Sequence, residues 1–80
     1  MKGLVDIYLE WVNIKKEVPS YRLGQHYCNA LELKDTFVDG VDLFLVESPA
    51  LADKLMYSLS EQYQWDVCDV PYKQEKHNET

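Results

Sequence analysis

An apolar pattern with helical spacing near the start of the chain is the feature that most restricts its fold. Large apolar side chains recur there at intervals of three and four, as they do along one face of an α-helix; they are Leu4, Ile7, Tyr8, Trp11, Ile14 and Val18. Pro19 follows, and proline cannot continue a helix because it lacks the backbone N–H and its ring clashes with the preceding turn. We therefore predict a first helix over residues 2–17.

The apolar face of this helix is wider than a single core requires. Val5, Leu9 and Val12 extend it to an arc of about 220°, whereas a surface helix needs little more than ~100°. We expect the helix to be covered on two sides, the second side meeting the rest of the domain, a second copy of the chain or a foreign protein. Large apolar and aromatic side chains dominate interface energetics, so the predicted contact residues are Leu4, Tyr8, Leu9, Trp11 and Val12.

A second helix is predicted from an N-cap at Ser20 to about Leu33. Arg22, Gln25 and Asn29, at spacings of three and four, would line one polar face of it. Two interpretations of this face stay open, a structural hydrogen-bond network and a site for a small ligand such as a nucleotide.

Gly24 lies within this second predicted helix. A glycine in a helix interior costs about 1 kcal/mol relative to alanine. Its presence indicates that another backbone or a ligand approaches the helix closely at this position.

The middle of the chain contains the turn dipeptide Asp39-Gly40 between short apolar stretches. This pattern fits a small β-hairpin. It fits equally a loop that places Phe37, Leu43 and Phe44 in the core, because periodicity does not decide between the two over so few residues.

Ser48-Pro49 is the clearest helix start in the sequence, with serine at the N-cap and proline at the first helical position. The third predicted helix runs from there to Gln62 or Tyr63. Its inner face is predicted to hold Leu51, Ala52, Leu55, Met56, Leu59 and Tyr63, and its outer face Asp53, Ser60, Glu61 and Gln64.

These segments predict a mainly α fold, a three-helix domain with a short β-hairpin or extended segments, and an α+β fold is the alternative. Residues 65–72 are expected to be extended and to pack across the helices. Residues 1–72 would form one domain. Residues 73–80 offer nothing to bury, so we expect a disordered polar tail.

The segment Arg22-Leu-Gly-Gln-His-Tyr-Cys-Asn29 resembles the R-x-G-Q-x-x-x-N helix of short uncharacterised proteins of bacteria and their phages. In that group the motif similarly follows an amphipathic helix and precedes an apolar-aromatic pair, here Leu43-Phe44, and a last helix. The resemblance covers about residues 4–63. It implies an origin in bacteria or their phages more than a function. Small acidic phage proteins often lack enzymatic machinery and block a host defence or host enzyme stoichiometrically, and this chain fits that description.

The net charge of −6 is concentrated in the second half of the chain, where residues 35–72 hold eight acidic side chains and Lys54 as the one base. Such a field repels phosphate backbones and attracts basic partners, so direct nucleic-acid binding is not expected. The acids could imitate nucleic-acid phosphates or could serve solubility alone. The predicted acidic surface consists of Asp35, Asp39, Asp42, Glu47, Asp66 and Asp69.

The sequence offers little to metal chemistry. A calcium loop counted from Asp35 would need ligands where Phe37 and Val46 stand. The soft ligands His26, Cys28, Cys68 and His77 lack the paired spacing of a zinc site. We predict no metal and no cofactor.

Catalytic motifs and membrane segments are not recognisable either. The sequence has no Gly-rich phosphate loop and no Gly-x-Ser-x-Gly nucleophile motif, so an enzyme is not expected. No apolar run approaches the roughly 20 residues that span a bilayer. Two cysteines cannot build a disulfide framework, and Cys28 and Cys68 are expected to be free thiols of a reducing cytoplasm.

The predicted function is that of a phage-type protein in the cytoplasm of a bacterial host. It would bind and inhibit a host protein, such as a restriction, BREX or CRISPR component, by stoichiometric contact and as a homodimer. The alternative is a module that binds a small ligand, such as a nucleotide, on the helix of Arg22, Gln25 and Asn29.

Overall fold

The computed structural model describes residues 2–73, in which three helices and one hairpin follow one another. The helices are α1 (Leu4–Lys15), α2 (Leu23–Leu31) and α3 (Pro49–Gln62). The antiparallel hairpin consists of β1 (Phe37–Val38) and β2 (Val41–Asp42), and one turn of 3-10 helix follows at Leu43–Leu45. The predicted mainly α fold with a short hairpin is confirmed. Apart from Lys73, the predicted polar tail lies outside the described residues.

Helix α1 is shorter at both ends than the sequence predicted. It begins after Gly3, whose N–H donates to Asp6 Oδ2 at 2.8 Å. The acid in the first turn and Lys15 in the last turn both complement the helix dipole. Leu4, Ile7 and Trp11 turn towards the core.

Helix α2 begins three residues after the predicted N-cap, because Ser20 belongs to a turn and Arg22 is the N-cap. The Tyr21 N–H donates to the carbonyl of Val18, and the Tyr21 carbonyl accepts from Trp11 Nε1 at 2.8 Å. These contacts hold the turn against α1. Seven of the nine residues of α2 are buried, so it is the central helix on which both α1 and α3 pack.

Gly24 allows the 3-10 turn to lie directly against α2. A Cβ at this position would overlap the Leu43 carbonyl oxygen. The close backbone approach that the sequence indicated is therefore real, and it comes from within the domain.

The hairpin turn uses Asp39 and Gly40, both with positive φ (52° and 82°), as two-residue hairpin turns require. The register pairs Phe37 with Asp42 and Val38 with Val41. Leu43 is fully buried and Phe44 partly so, but Phe37 is 58% exposed because its side chain lies on the outer face of the strand.

Helix α3 has the start that the sequence predicted, since the Leu51 N–H donates to Ser48 Oγ at 3.2 Å and Pro49 occupies the first turn. Ala52, Leu55, Met56 and Leu59 are buried as expected. Three further assignments are corrected: Leu51 and Tyr63 are exposed, and Ser60 is fully buried.

Residues 65–72 cross the helices without forming a named strand. The Leu4 N–H donates to the Val67 carbonyl at 2.8 Å, and the Val70 N–H donates to the Lys2 carbonyl at 2.9 Å. The backbone N–H of Lys73 donates a further hydrogen bond to the carbonyl of Ala30. The segment thereby joins the start of α1 to the end of α2. Within residues 2–73, no helix is both long and apolar enough to cross a membrane.

Candidate functional site

Helix α1 exposes a row of apolar side chains opposite its buried face. Val5 is 59% exposed and Leu9 is 53% exposed. Beside them, Tyr8 is exposed and Val12 is half-buried. Positions 5, 9 and 12 follow the spacing of one helix face. Single exposed apolar residues are ordinary, whereas adjacent ones mark contact surfaces. We call Val5, Tyr8, Leu9 and Val12 the α1 face.

Two of the five predicted contact residues are not on this surface. Leu4 and Trp11 are buried in the core of the domain. Trp11 donates its ring N–H to the Tyr21 carbonyl, and the ammonium of Lys15 lies 4.8 Å from the centre of its ring. Part of the wide apolar arc is thus covered by the chain itself, which leaves Tyr8, Leu9 and Val12 of the predicted set, with Val5 added.

A pocket of about 420 Å³ opens beside the α1 face, between α1 and α3. Val5 and Tyr8 form one wall, and Pro49, Ala50, Asp53 and Tyr57 form the other. The lining is apolar and aromatic apart from the carboxyl group of Asp53. We call it the α1–α3 pocket.

The carboxyl group of Asp53 is held in place by a buried tyrosine of α2. The Tyr27 hydroxyl donates to Asp53 Oδ1 at 2.7 Å, and Tyr27 itself is fully buried. Burial, the hydrogen bond to Asp53 and the charge of Asp53 raise the pKa of Tyr27 well above its usual range. Tyr27 therefore remains protonated and donates its hydrogen bond to Oδ1. The second carboxylate oxygen of Asp53, Oδ2, has no hydrogen-bond partner among residues 2–73.

The charge of Asp53 also acts on the exposed wall of the pocket. Burial, followed by the charge of Asp53, raises the pKa of Tyr57. The negative charge of Asp53 thus acts on the Tyr57 hydroxyl, and both residues line the α1–α3 pocket.

A second polar cluster, centred on His26, was missed by the sequence reasoning. His26 is buried and its Nε2 lies 3.1 Å from Glu10 Oε1, while its Nδ1 lies 2.9 Å from the hydroxyl of Tyr21. Because a carboxylate only accepts, Nε2 of His26 donates to Glu10, and Nδ1 shares a hydrogen bond with the Tyr21 hydroxyl. Glu10 also accepts from the hydroxyl of Tyr72 and pairs with Lys2 at 3.2 Å.

This cluster joins α1, the turn before α2, α2 and the C-terminal segment. Its partners are separated by 16 residues (Glu10 and His26) and by 62 residues (Glu10 and Tyr72). No local spacing pattern could reveal contacts so distant along the chain. Both ring nitrogens of His26 have partners, so the arrangement serves to connect these segments.

The polar face of α2 is largely engaged within the domain. Arg22 donates from Nε to the Phe44 carbonyl at 2.9 Å, and its guanidinium carbon lies 5.6 Å from the centre of the Phe44 ring. Asn29 donates to the hydroxyl of Tyr21 at 3.4 Å. Gln25 is half-buried. These contacts favour the structural interpretation, and the nucleotide site stays a prediction.

Two of the predicted acidic residues connect the hairpin to its surroundings. Asp39 accepts from Ser58 Oγ at 2.8 Å and from Gln62 Nε2 at 3.1 Å, which ties the hairpin turn to α3. Asp42 accepts from Thr36 Oγ1 at 2.7 Å and from the N–H of Phe44 at 3.1 Å. Both carboxylates therefore have structural roles.

The other four predicted acidic residues are exposed. Asp35 and Asp66 each accept the backbone N–H two residues further along the chain, at 3.0 and 2.9 Å. Glu47 lines a pocket of about 370 Å³ with Trp11 and Arg22. The backbones of Asp66 and Asp69 pair in an isolated antiparallel β-bridge. The acids are thus spread over separate turns and share no common cavity among the pockets described.

Neither cysteine of the described chain is in a disulfide. Cys28 is buried and Cys68 is exposed. Burial, with a smaller effect from the charge of Asp42, raises the pKa of Cys28 to about 11. Within residues 2–73, the His, Cys, Asp and Glu side chains form no group of three that could hold a metal ion.

Comparison with known proteins gives no match, whether with models of protein families, with curated protein sequences or with solved structures.

Proposed function

We propose that this protein acts by binding another protein through the α1 face. The observation that carries the proposal is the exposure of Val5 and Leu9, each more than half exposed on a helix whose other side already fills the core. Covering such side chains removes apolar surface from water, which stabilises a complex by about 25 cal/mol for each Å² of apolar surface buried. A partner would gain this energy without any rearrangement of the domain.

The proposed consequence of binding is inhibition of a host protein by stoichiometric contact. The resemblance of the Arg22 to Asn29 segment to short phage and bacterial proteins suggests the origin of the chain. Since small acidic phage proteins often block host defences, the proposed target is a host defence protein such as a restriction, BREX or CRISPR component. The negative charge of residues 35–72 supports a target with a basic surface, because opposite charges speed encounter.

The homodimer that the sequence predicted stays a prediction. A second copy would cover the same α1 face, so self-association and binding of a target would compete. Light scattering at tens of micromolar measures this directly. A strictly monomeric protein would refute the dimer and leave the foreign partner as the occupant of the face.

The test of the function is affinity capture from a bacterial lysate with three tagged proteins. They are the wild type, Leu9→Asp on the α1 face, and Leu45→Asp as the matched control, because Leu45 is 62% exposed in another segment. We expect one protein to be retained by the wild type and by Leu45→Asp but not by Leu9→Asp. Equal retention by all three would contradict a role for the α1 face.

A further inference from the structure

The α1–α3 pocket combines apolar and aromatic side chains with one fixed negative charge. Among the described residues that line it, Asp53 alone is charged. Lys54 follows in sequence but does not contribute to the lining, and Lys15 and Lys16 line the shallower recess around Trp11 instead. The charge of Asp53 is therefore not neutralised by a basic side chain of the pocket.

The two oxygen atoms of Asp53 are not equivalent. Oδ1 accepts the proton of the buried Tyr27 hydroxyl, which fixes the orientation of the carboxylate. Oδ2 has no hydrogen-bond partner among residues 2–73, and the side chains of Tyr8 and Tyr57 line the same pocket. A pocket lined by a carboxylate and by aromatic side chains suits a cation, since carboxylates and aromatic ring faces both attract positive charge.

We propose that the α1–α3 pocket receives the side chain of an arginine or lysine of the partner protein. This proposal rests on the proposed function, because it describes what the partner places beside the α1 face. The apolar stem of such a side chain would lie along Val5 and Pro49, and its charged end would meet Asp53. The residues on either side of it in the partner would be apolar and would cover Leu9 and Val12.

The charge distribution of the whole chain supports a basic partner. Residues 35–72, which include Asp53, hold one base against eight acids. A segment with a basic side chain between apolar ones matches both the charge of the pocket and the character of the α1 face. An acidic side chain at the same place would be repelled by Asp53 and by this field.

The test uses two capped tripeptides as probes of the ¹⁵N-labelled full chain by NMR. One is acetyl-Leu-Arg-Leu-amide and the other is acetyl-Leu-norleucine-Leu-amide, which keeps an apolar side chain and removes the charge. We expect the arginine peptide to shift the backbone amide signals of the pocket. Its Kd should be about fivefold lower than that of the norleucine peptide, as expected for a partly exposed ion pair.

Two variants separate the charge of Asp53 from its structural role. Asp53→Asn keeps an oxygen that can accept from the Tyr27 hydroxyl but removes the charge, and it should reduce the affinity for the arginine peptide to that for the norleucine peptide. Glu61→Gln removes an exposed acid of the same helix and should leave both affinities unchanged. Thermal melting of each variant verifies that it is folded.

Equal Kd values for the two peptides, or an Asp53→Asn variant that binds like the wild type, would overturn the proposal. An absence of shifts in the pocket at millimolar peptide would also overturn it. None of these outcomes bears on the Leu9→Asp capture experiment. The pocket proposal can therefore fail while the binding function of the α1 face stands. Conversely, equal retention of all three proteins in the capture experiment would contradict the binding function whatever the peptide affinities are.

Discussion

The Tyr27 hydroxyl donates a 2.7 Å hydrogen bond to Asp53 Oδ1 and so connects the buried centre of α2 to a carboxylate in the wall of the α1–α3 pocket. One bond thereby serves two purposes. It satisfies a hydroxyl that has no access to water, and it fixes the charge that we propose a partner meets.

Replacing Tyr27 with phenylalanine tests the structural part of this relationship. Tyr27→Phe leaves a half-buried carboxylate without its donor, so we expect the free energy of unfolding to fall by about 1–3 kcal/mol. Urea denaturation measures the change. Tyr57→Phe is the control, because Tyr57 is exposed at the mouth of the pocket, and its loss of stability should be within about 0.5 kcal/mol. Equal effects would show that the bond does not stabilise the fold.

Gly24→Ala tests the close approach of the 3-10 turn to α2. Alanine favours helix by about 1 kcal/mol over glycine. Here its methyl group would overlap the Leu43 carbonyl, so we expect a net loss of about 1–3 kcal/mol. Asn13→Ala, at an exposed position of α1, is the control and should leave stability unchanged or slightly raised. A Gly24→Ala variant as stable as the wild type would contradict the packing described.

Ser60→Ala should stabilise the protein. Ser60 is fully buried in α3, and its Oγ has no hydrogen-bond partner among the described residues. Removing an unpaired buried hydroxyl and improving helix propensity should raise the free energy of unfolding by about 1 kcal/mol. Thermal denaturation followed by circular dichroism provides the measurement. Ser58→Ala, which removes the bond to Asp39, is the contrasting variant and should not stabilise.

The two cysteines should differ in reactivity. Cys68 is exposed, whereas Cys28 is buried with its pKa raised to about 11, so the folded protein should be alkylated by iodoacetamide at pH 8 on Cys68 only. Peptide mass spectrometry identifies the modified residue. Modification of both at equal rates would contradict the burial of Cys28.

The raised pKa of Cys28 predicts that the folded protein loses stability in alkaline solution. The unfolded chain releases the Cys28 proton near pH 9, and the folded chain holds it to about pH 11. The contribution of the protonated Cys28 thiol to the free energy of unfolding is complete below pH 9 and is lost as the pH rises to about 11. The raised pKa of Tyr27 acts in the same direction at higher pH. Cys28→Ala should therefore flatten the decline in unfolding free energy between pH 9 and 11.

Features that depend on neighbouring residues could be predicted from the sequence. The start of α3 follows from Ser48 and Pro49, and the hairpin turn from Asp39 and Gly40, because caps and turns are local. The predicted start of α2 at Ser20 was wrong, because a contact with Trp11 holds Tyr21 in a turn. Here a tertiary contact overrides a local signal.

The candidate site could not be predicted from local sequence patterns either, because tertiary packing brings its residues together. Asp53 was assigned to the outer face of α3, and only the packing of α1 and α3 on α2 places it in a pocket above Tyr27. The apolar arc of α1 is visible in the sequence, but which part of it the domain covers depends on the whole fold. Leu4 and Trp11 are covered, and Leu9 is not.

The central claim, that the α1 face binds another protein, is tested most directly by titration calorimetry with the purified protein from the capture experiment. We predict one-to-one binding by the wild type and Leu45→Asp, with the Kd of Leu9→Asp raised at least about tenfold, as for an anchoring residue of an interface. The same Kd for all three proteins would contradict the claim.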